Sequence, residues 1–271
     1  MAANGACKNF SAPYHDVVPI RSPIAVHDAI LPFLRAKRVV EIGARAGDDF
    51  CCYARVAYSI VLFEIVHTYC AGIQGRCAQN FSSEIGEQWQ RQAARTGRVE
   101  ASPGAWTICA SFEKTRTIVD ADIYLWWIYP GLTSNPRLLV WLRQHLDAGR
   151  IRSSATAILM SDLGLAGVTG NPDQEDDLSR WSSYASWTFD VPFDESLDCE
   201  ARDRRQARMH RRRIDCTRSK GMFRVMGVPI SNLNYEILSR SVNASAPLTR
   251  RSPSTKKVNP GRVNEPNSVY F

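Results

Sequence analysis

Two glutamates and two glycines, spaced as Glu41-x-Gly43-x-x-x-Gly47 and then Glu64, are the residues whose types and spacing most plainly suggest chemistry. Val39 to Ile42 is a short run rich in β-branched residues, too brief for a helix, and reads as a buried parallel strand. It holds Glu41 near its end and is followed at once by the glycines and by Asp48, a good N-cap for a helix carrying Phe50, Cys51, Ala54, Val56 and Ala57. Glycine lets backbone approach a ligand because no Cβ stands in the way. A second apolar run, Ser59 to Phe63, ends on Glu64, which stands 21 residues beyond Gly43. That is about the ~20-residue interval at which an acidic side chain reaches ribose hydroxyls in a βαβ nucleotide site. One carboxylate can accept bonds from both hydroxyls. The stretch therefore reads either as a tight βα turn of any kind or as a nucleotide-type pocket.

The identity of the nucleotide turns on the glycine pattern. A dinucleotide fingerprint needs Gly-x-Gly-x-x-Gly, and from Gly43 the required positions hold Gly43, Arg45 and Asp48. Two of three fail, which disfavours a nucleotide-dependent oxidoreductase. The segment instead resembles motif I of the class I S-adenosylmethionine-dependent methyltransferases, Glu/Asp-x-Gly-x-Gly-x-Gly. Glu41, Gly43 and Gly47 match it in place, while Arg45 occupies the middle glycine. The resemblance implies S-adenosyl-L-methionine as cofactor, with Glu41 near its methionine part. It implies that the backbone of Gly43, Ala44, Arg45 and Gly47 passes close by, and that Glu64 with the adjoining Ile65 lies at the ribose. Arg45 puts a side chain where backbone normally approaches the ligand; it would point to solvent, contact the cofactor carboxylate, or impair the site.

The same resemblance places adenine contacts just after the third strand, read here over Trp106 to Ala110, at Ser111 and Phe112; Phe112 reads equally as core. The fourth strand, Ala121 to Pro130, opens on Asp120 and Asp122 and ends in Trp126-Trp127-Ile128-Tyr129-Pro130. The family places residues facing the transferring methyl there. Trp127 and Tyr129 could form an aromatic cage for a sulfonium or a cationic substrate, or the tryptophans are core. The fifth strand, Ala155 to Met160, leads to Asp162, a candidate base or substrate anchor that reads equally as a turn residue. These three complete the expected catalytic set.

The elements that must position these residues alternate strand and helix, the pattern of an α/β protein. The expected architecture is a doubly wound, seven-stranded, mostly parallel sheet with an antiparallel edge strand and helices on both faces. Ser22-Pro23 starts a helix whose apolar face is Ile24, Ala25, Ala29, Ile30 and Phe33, with Pro32 predicting a kink or early stop and His27 on its surface. A long helix is expected from Thr68 to Arg95, another from Pro136 to Leu146, and a third from Glu175 to Tyr184. Trp187 to Val191 and Met222 to Val228 supply strands six and seven. Residues 1–21 read as a lead-in, 22–240 as the methyltransferase-like domain and 241–271 as a disordered basic tail, rich in Pro, Ser and Asn.

Of 271 residues, 44% are hydrophobic and 23% charged, and the net charge is +7. Residues 202–220 carry +7 and the tail from Arg240 carries +5, leaving the remainder at −5. The arginine-rich stretch, an insert between strands six and seven, reads as a footprint for nucleic acid or another acidic partner, or as a solvated insert, since no aromatic residues interleave to stack on bases. No run approaches the ~18 apolar residues of a membrane helix, and no secretory leader is evident. The eight cysteines form no Cys-x-x-Cys pair; reduced, mostly buried thiols in a cytoplasmic protein are expected, with no metal site. Three functions follow: methyl transfer to a small or medium acceptor, a methyltransferase-like binding or scaffold protein without catalysis, and the disfavoured oxidoreductase. Oligomeric state and acceptor are not encoded in any motif.

Overall fold

The computed structural model describes residues 24–44, 50–80, 83–115, 118–128, 134–163, 181–194 and 220–234. The lead-in, most of the arginine-rich stretch and the tail lie outside these residues. In chain order the elements are α1 (Ile24–Leu34), β1 (Arg38–Ile42), α2 (Phe50–Tyr53), β2 (Ser59–Phe63), α3 (His67–Gln74), β3 (Gln79–Asn80), α4 (Ser83–Thr96), β4 (Gly104–Ile108), β5 (Ile123–Ile128), α5 (Ser134–Asp147), β6 (Thr156–Asp162), β7 (Trp187–Asp194) and β8 (Lys220–Pro229).

One sheet takes in every strand, in the order β3-β4-β2-β1-β5-β6-β8-β7. Only β8 runs against the rest, pairing antiparallel with both β6 and β7. The seven expected strands all form, the reversed one inside the edge hairpin. The eighth, β3, adds two residues alongside Trp106 and Thr107. Alternation along each strand divides the apolar residues between two layers. Val39, Ile60, Leu62, Ile123, Leu125, Ile158 and Met160 pack with Val26, Ile30 and Leu34 of α1, Phe50 and Tyr53 of α2, and Ile73 of α3. Val40, Ile42, Val61, Phe63, Tyr124 and Leu159 pack with Trp89 of α4 and Leu138, Leu139 and Leu142 of α5.

Four sequence expectations change. The helix expected from Thr68 to Arg95 is broken into α3 and α4: the Gly75 amide closes the first helix on the Ala71 carbonyl, and the chain then extends so that Gln79 and Asn80 join the sheet. Helix α1 continues through Pro32 to Leu34; only its last two residues follow the proline. His27 is buried, 2% exposed, instead of lying on the surface. It stands three residues before Ile30 and seven before Leu34, on the buried stripe, and its Nδ1 lies 2.7 Å from the Tyr53 hydroxyl. Finally, the cysteines are oxidised. Cys51 is bonded to Cys77 and Cys70 to Cys109, Cys52 is also disulfide-bonded, and no described cysteine is a free thiol. Connectivity is set by contact in three dimensions, across separations of 26 and 39 residues, and spacing alone does not reveal it. Disulfides persist in oxidising compartments and are rare in the cytosol, so the pairing removes the reasoning from reduced thiols to a cytoplasmic location. No described helix is long and apolar enough to cross a membrane.

The amino ends of the strands are pinned by charge. Asp120, 1% exposed, accepts both Nε and Nη2 of Arg152, at 3.2 and 2.9 Å, while Nη1 of the same guanidinium reaches Asp122 at 2.6 Å. The Arg38 amide donates to the other Asp122 oxygen at 2.9 Å, so one fork ties β1, the entry to β5 and the entry to β6. A buried carboxylate is tolerable only when matched in this bidentate way. Asp120 and Asp122 thus serve the end of the sheet remote from Gly43.

At the other edge, the indole of Trp187 lies across Gly227, its register partner on β8, and stacks against Phe33 of α1 with ring centroids 4.6 Å apart. A Cβ added at Gly227 would overlap that indole. Gly227→Ala is therefore expected to cost about 1–3 kcal/mol in urea unfolding, and much less in a Trp187→Ala background. An equal cost in both backgrounds would refute the packing account.

His145 near the end of α5 gives a pH-dependent expectation. It is 6% exposed, its Nδ1 accepts from Arg150 at 3.2 Å, and burial, followed by the Arg150 cation, pushes its pKa down to about 4. The unfolded chain binds the proton near the ordinary value of 6.5, so this contribution to stability is complete above that pH and is lost between it and about 4. Between pH 7.5 and 5, wild type is expected to lose on the order of 1–2 kcal/mol more than His145→Gln; parallel losses in urea titrations would contradict it.

Candidate nucleotide crevice at the carboxyl ends of β1 and β2

The winding direction reverses between β1 and β5, since β1 pairs with β2 on one side and β5 on the other. In open α/β sheets the crevice at the carboxyl ends of strands at such a reversal is where ligands bind. The glutamates lie there. In the β1–β2 register Glu41 is opposite Leu62 and Ile42 opposite Phe63, and the Gly43 amide donates to the Phe63 carbonyl at 2.8 Å. Gly43 and Glu64 consequently leave the sheet side by side.

Gly43 adopts φ +77°, the left-handed region glycine enters without a Cβ penalty. It is exposed, and a Cβ built on it would meet no atom within 4 Å. Backbone there faces open space. Glu64 is 2% exposed. Its amide donates to the Ile108 carbonyl of β4 at 3.1 Å, which fixes its backbone, and its Oε1 accepts the Val66 amide at 2.8 Å, which orients the carboxylate. Immediately beyond, Ile65 is 61% exposed, an apolar side chain held out beside an acidic one. Glu41 is fully buried within β1 and Ala44 is buried against the α1–α3 layer.

The remaining candidates divide. Ser111 is half-buried, its carbonyl accepting the Thr115 hydroxyl at 3.0 Å. Phe112 is 7% exposed, edge-to-face with Trp126 and Trp141 at centroid distances of 5.9 and 5.2 Å; it is a core ring. Trp127 packs edge-to-face between His27 and Phe223, each at 5.7 Å, with its Nε1 shielded from solvent. The two tryptophans do not share a face, because adjacent residues on a strand point to opposite faces. Trp126 enters the α4–α5 layer and Trp127 the α1–α3 layer. Asp162 closes β6 opposite Phe223. Arg45, Gly47 and Tyr129 lie outside the described residues.

Two features escaped the sequence reading. The His27–Tyr53 contact sits beneath Trp127, and its signal was the position of His27 on the apolar stripe of α1. The Cys70–Cys109 bridge joins α3 to the turn after β4, and no sequence signal picked that pairing.

The central β1, flanked by β2 and β4 on one side and by β5, β6 and a reversed hairpin on the other, decides the fold. It is a doubly wound α/β fold with one reversed strand next to the edge. No protein-family model matches the sequence, and no curated protein matches it. Among solved structures the chain is similar to a candidate RNA methyltransferase from Pyrococcus horikoshii, at 11% identity and a TM-score of 0.47, over 83% of this chain and 94% of that one. It is similar to a dimethyladenosine transferase from Plasmodium falciparum, at 12% identity and a TM-score of 0.44, over 83% and 67%. It is also similar to an RNA methyltransferase from Salinibacter ruber solved with S-adenosyl-L-homocysteine, at 12% identity and a TM-score of 0.41, over 77% and 93%.

If the conformation of Gly43 is what matters, Gly43→Ala should destabilise by about 1–2 kcal/mol through backbone strain without any overlap. Gly43→Asn should cost less, because asparagine tolerates this region. Urea unfolding of both variants checks the order, and a costlier asparagine would disprove it.

Proposed function

We propose that the chain is an S-adenosyl-L-methionine-dependent methyltransferase acting on a small or medium acceptor. The observation that carries this reading is the pairing of exposed, left-handed Gly43 backbone with the buried Glu64 carboxylate on the next strand, at the reversal point of the sheet. Glu64 offers its carboxylate to the ribose hydroxyls and Ile65 an apolar face to the base beside them. Gly43 and Ala44 offer close backbone, with Arg45 and Gly47 continuing the turn and Glu41 at its foot; Ser111 borders the base from the β4 side.

Bound S-adenosylmethionine supplies a sulfonium methyl that is already a strong electrophile, so the residues around it need chiefly to align the acceptor. A base is required only where the acceptor must lose a proton; Asp162, the last residue of β6, is proposed for that part, and Tyr129, following β5, for an aromatic wall beside the methyl. Trp127, its ring in the core, is left a positioning role. The arginine-rich residues 202–220 are proposed to contact nucleic acid or another acidic partner. Their +7 charge runs up to Lys220, which pairs with Asp194 at the end of the edge hairpin that lies on the crevice side.

A methyltransferase-like binding protein without catalysis is the second reading, favoured by one observation: the two tryptophans at the end of β5 are both committed to packing.

Calorimetric titration with S-adenosylmethionine tests the first reading, and an isotopic methyl-transfer assay on cell extract separates it from the second. Glu64→Ala is expected to weaken binding at least tenfold, since two charge-assisted hydrogen bonds of about 1.5–3 kcal/mol each would go. Unchanged affinity in that variant would remove Glu64 from the site.

A further inference from the structure

Helix α3 has little of its own to hold it in place. It has eight residues, no side-chain cap at Val66, no acidic residue in its first turn and no basic residue in its last. Helices this short are marginal without tertiary support. Its buried side chains are Cys70 and Ile73, and Cys70, 0% exposed, is bonded to Cys109 just beyond β4. Cys109 is exposed, and the Gln74 amide lies 3.4 Å from its sulfur and 3.8 Å from that of Cys70. The helix also carries the crevice: the Cys70 amide donates to the Val66 carbonyl at 3.0 Å, and the Val66 amide is the donor that fixes Glu64 at 2.8 Å.

We propose that the Cys70–Cys109 disulfide is a redox-addressable latch on the nucleoside end of the crevice. It holds α3, and through Val66 the Glu64 carboxylate, against β4. The proposal rests on the reading of this crevice as the cofactor site. The step that opens it is thiol–disulfide exchange with a dithiol. One thiolate attacks the exposed Cys109 sulfur, forming a mixed disulfide and releasing Cys70 as a thiolate that takes up a proton. The second thiol then displaces Cys109, leaving two cysteine thiols and the cyclic disulfide of the reagent, a transfer of two electrons and two protons. With the bridge gone, only the packing of Ile73 and of the small Cys70 side chain opposes fraying, and the Val66 amide is no longer held toward Glu64.

The test uses the full chain, oxidised, reduced with dithiothreitol, and as Cys70→Ala/Cys109→Ala, which leaves Cys51–Cys77 intact. Hydrogen exchange is followed by mass spectrometry, and S-adenosyl-L-homocysteine binding by calorimetry. In the reduced and doubly substituted chains, exchange over residues 67–74 is expected to rise at least tenfold while β1 and β5 keep their protection, and affinity is expected to fall at least tenfold. Unchanged exchange at 67–74 overturns the latch. So does exchange rising across the whole sheet, which would make the bridge a general staple, and so does local loosening with affinity unaltered. Absence of binding by the oxidised chain overturns the cofactor reading instead, and exchange at 67–74 alone then decides whether the bridge holds α3.

Discussion

The crevice depends on the register between β1 and β2. With Val39 opposite Ile60 and Ile42 opposite Phe63, Gly43 and Glu64 emerge together, and the Gly43 amide closes on the last carbonyl of β2. A slip of one residue would turn each buried side chain to the opposite layer. Val39 would leave the α1–α3 cluster, Val40 the α4–α5 cluster, and the left-handed turn would no longer face the acidic strand end. The apolar alternation that builds the two layers thus also aligns the polar residues of the rim, so the core specifies the site.

That coupling explains what could be read from residues alone. The strands carrying the crevice are short β-branched runs between glycines and charges, where period and composition agree, and β1, β2, β5 and β6 lie close to where those runs do. The glutamates and Gly43 were legible because each ends such a run. The break between α3 and α4 was not, because Tyr69, Ile73, Cys77 and Phe81 keep a helical spacing straight through a segment that instead extends to pair with β4. Competition from a sheet edge leaves no trace in local periodicity. Which layer each of Trp126 and Trp127 enters was not legible from composition: adjacent in sequence, they share no face of the strand.

Different bonds secure different parts of the fold. At the amino ends Arg152 holds Asp120 and Asp122 and, through them, the start of β1. In the nucleoside half the two helices that follow β1 and β2 are short, four residues in α2 and eight in α3, and each carries a bridged cysteine. Helices of that length bury too little apolar surface to be held by packing alone, and covalent links supply what area does not. On the other half α5, with fourteen residues and three buried leucines, shows no such need.

Those links outlast the folded state. In urea without reductant, the two described bridges tie the chain from Cys51 to Cys109 into crossed loops, since Cys70 lies within the span closed by Cys51 and Cys77 while Cys109 lies beyond it. The denatured ensemble is then compact over the first half of the sheet. Unfolding exposes less new surface than a linear chain of this length would, and refolding starts with β2 and its neighbouring helices confined near one another.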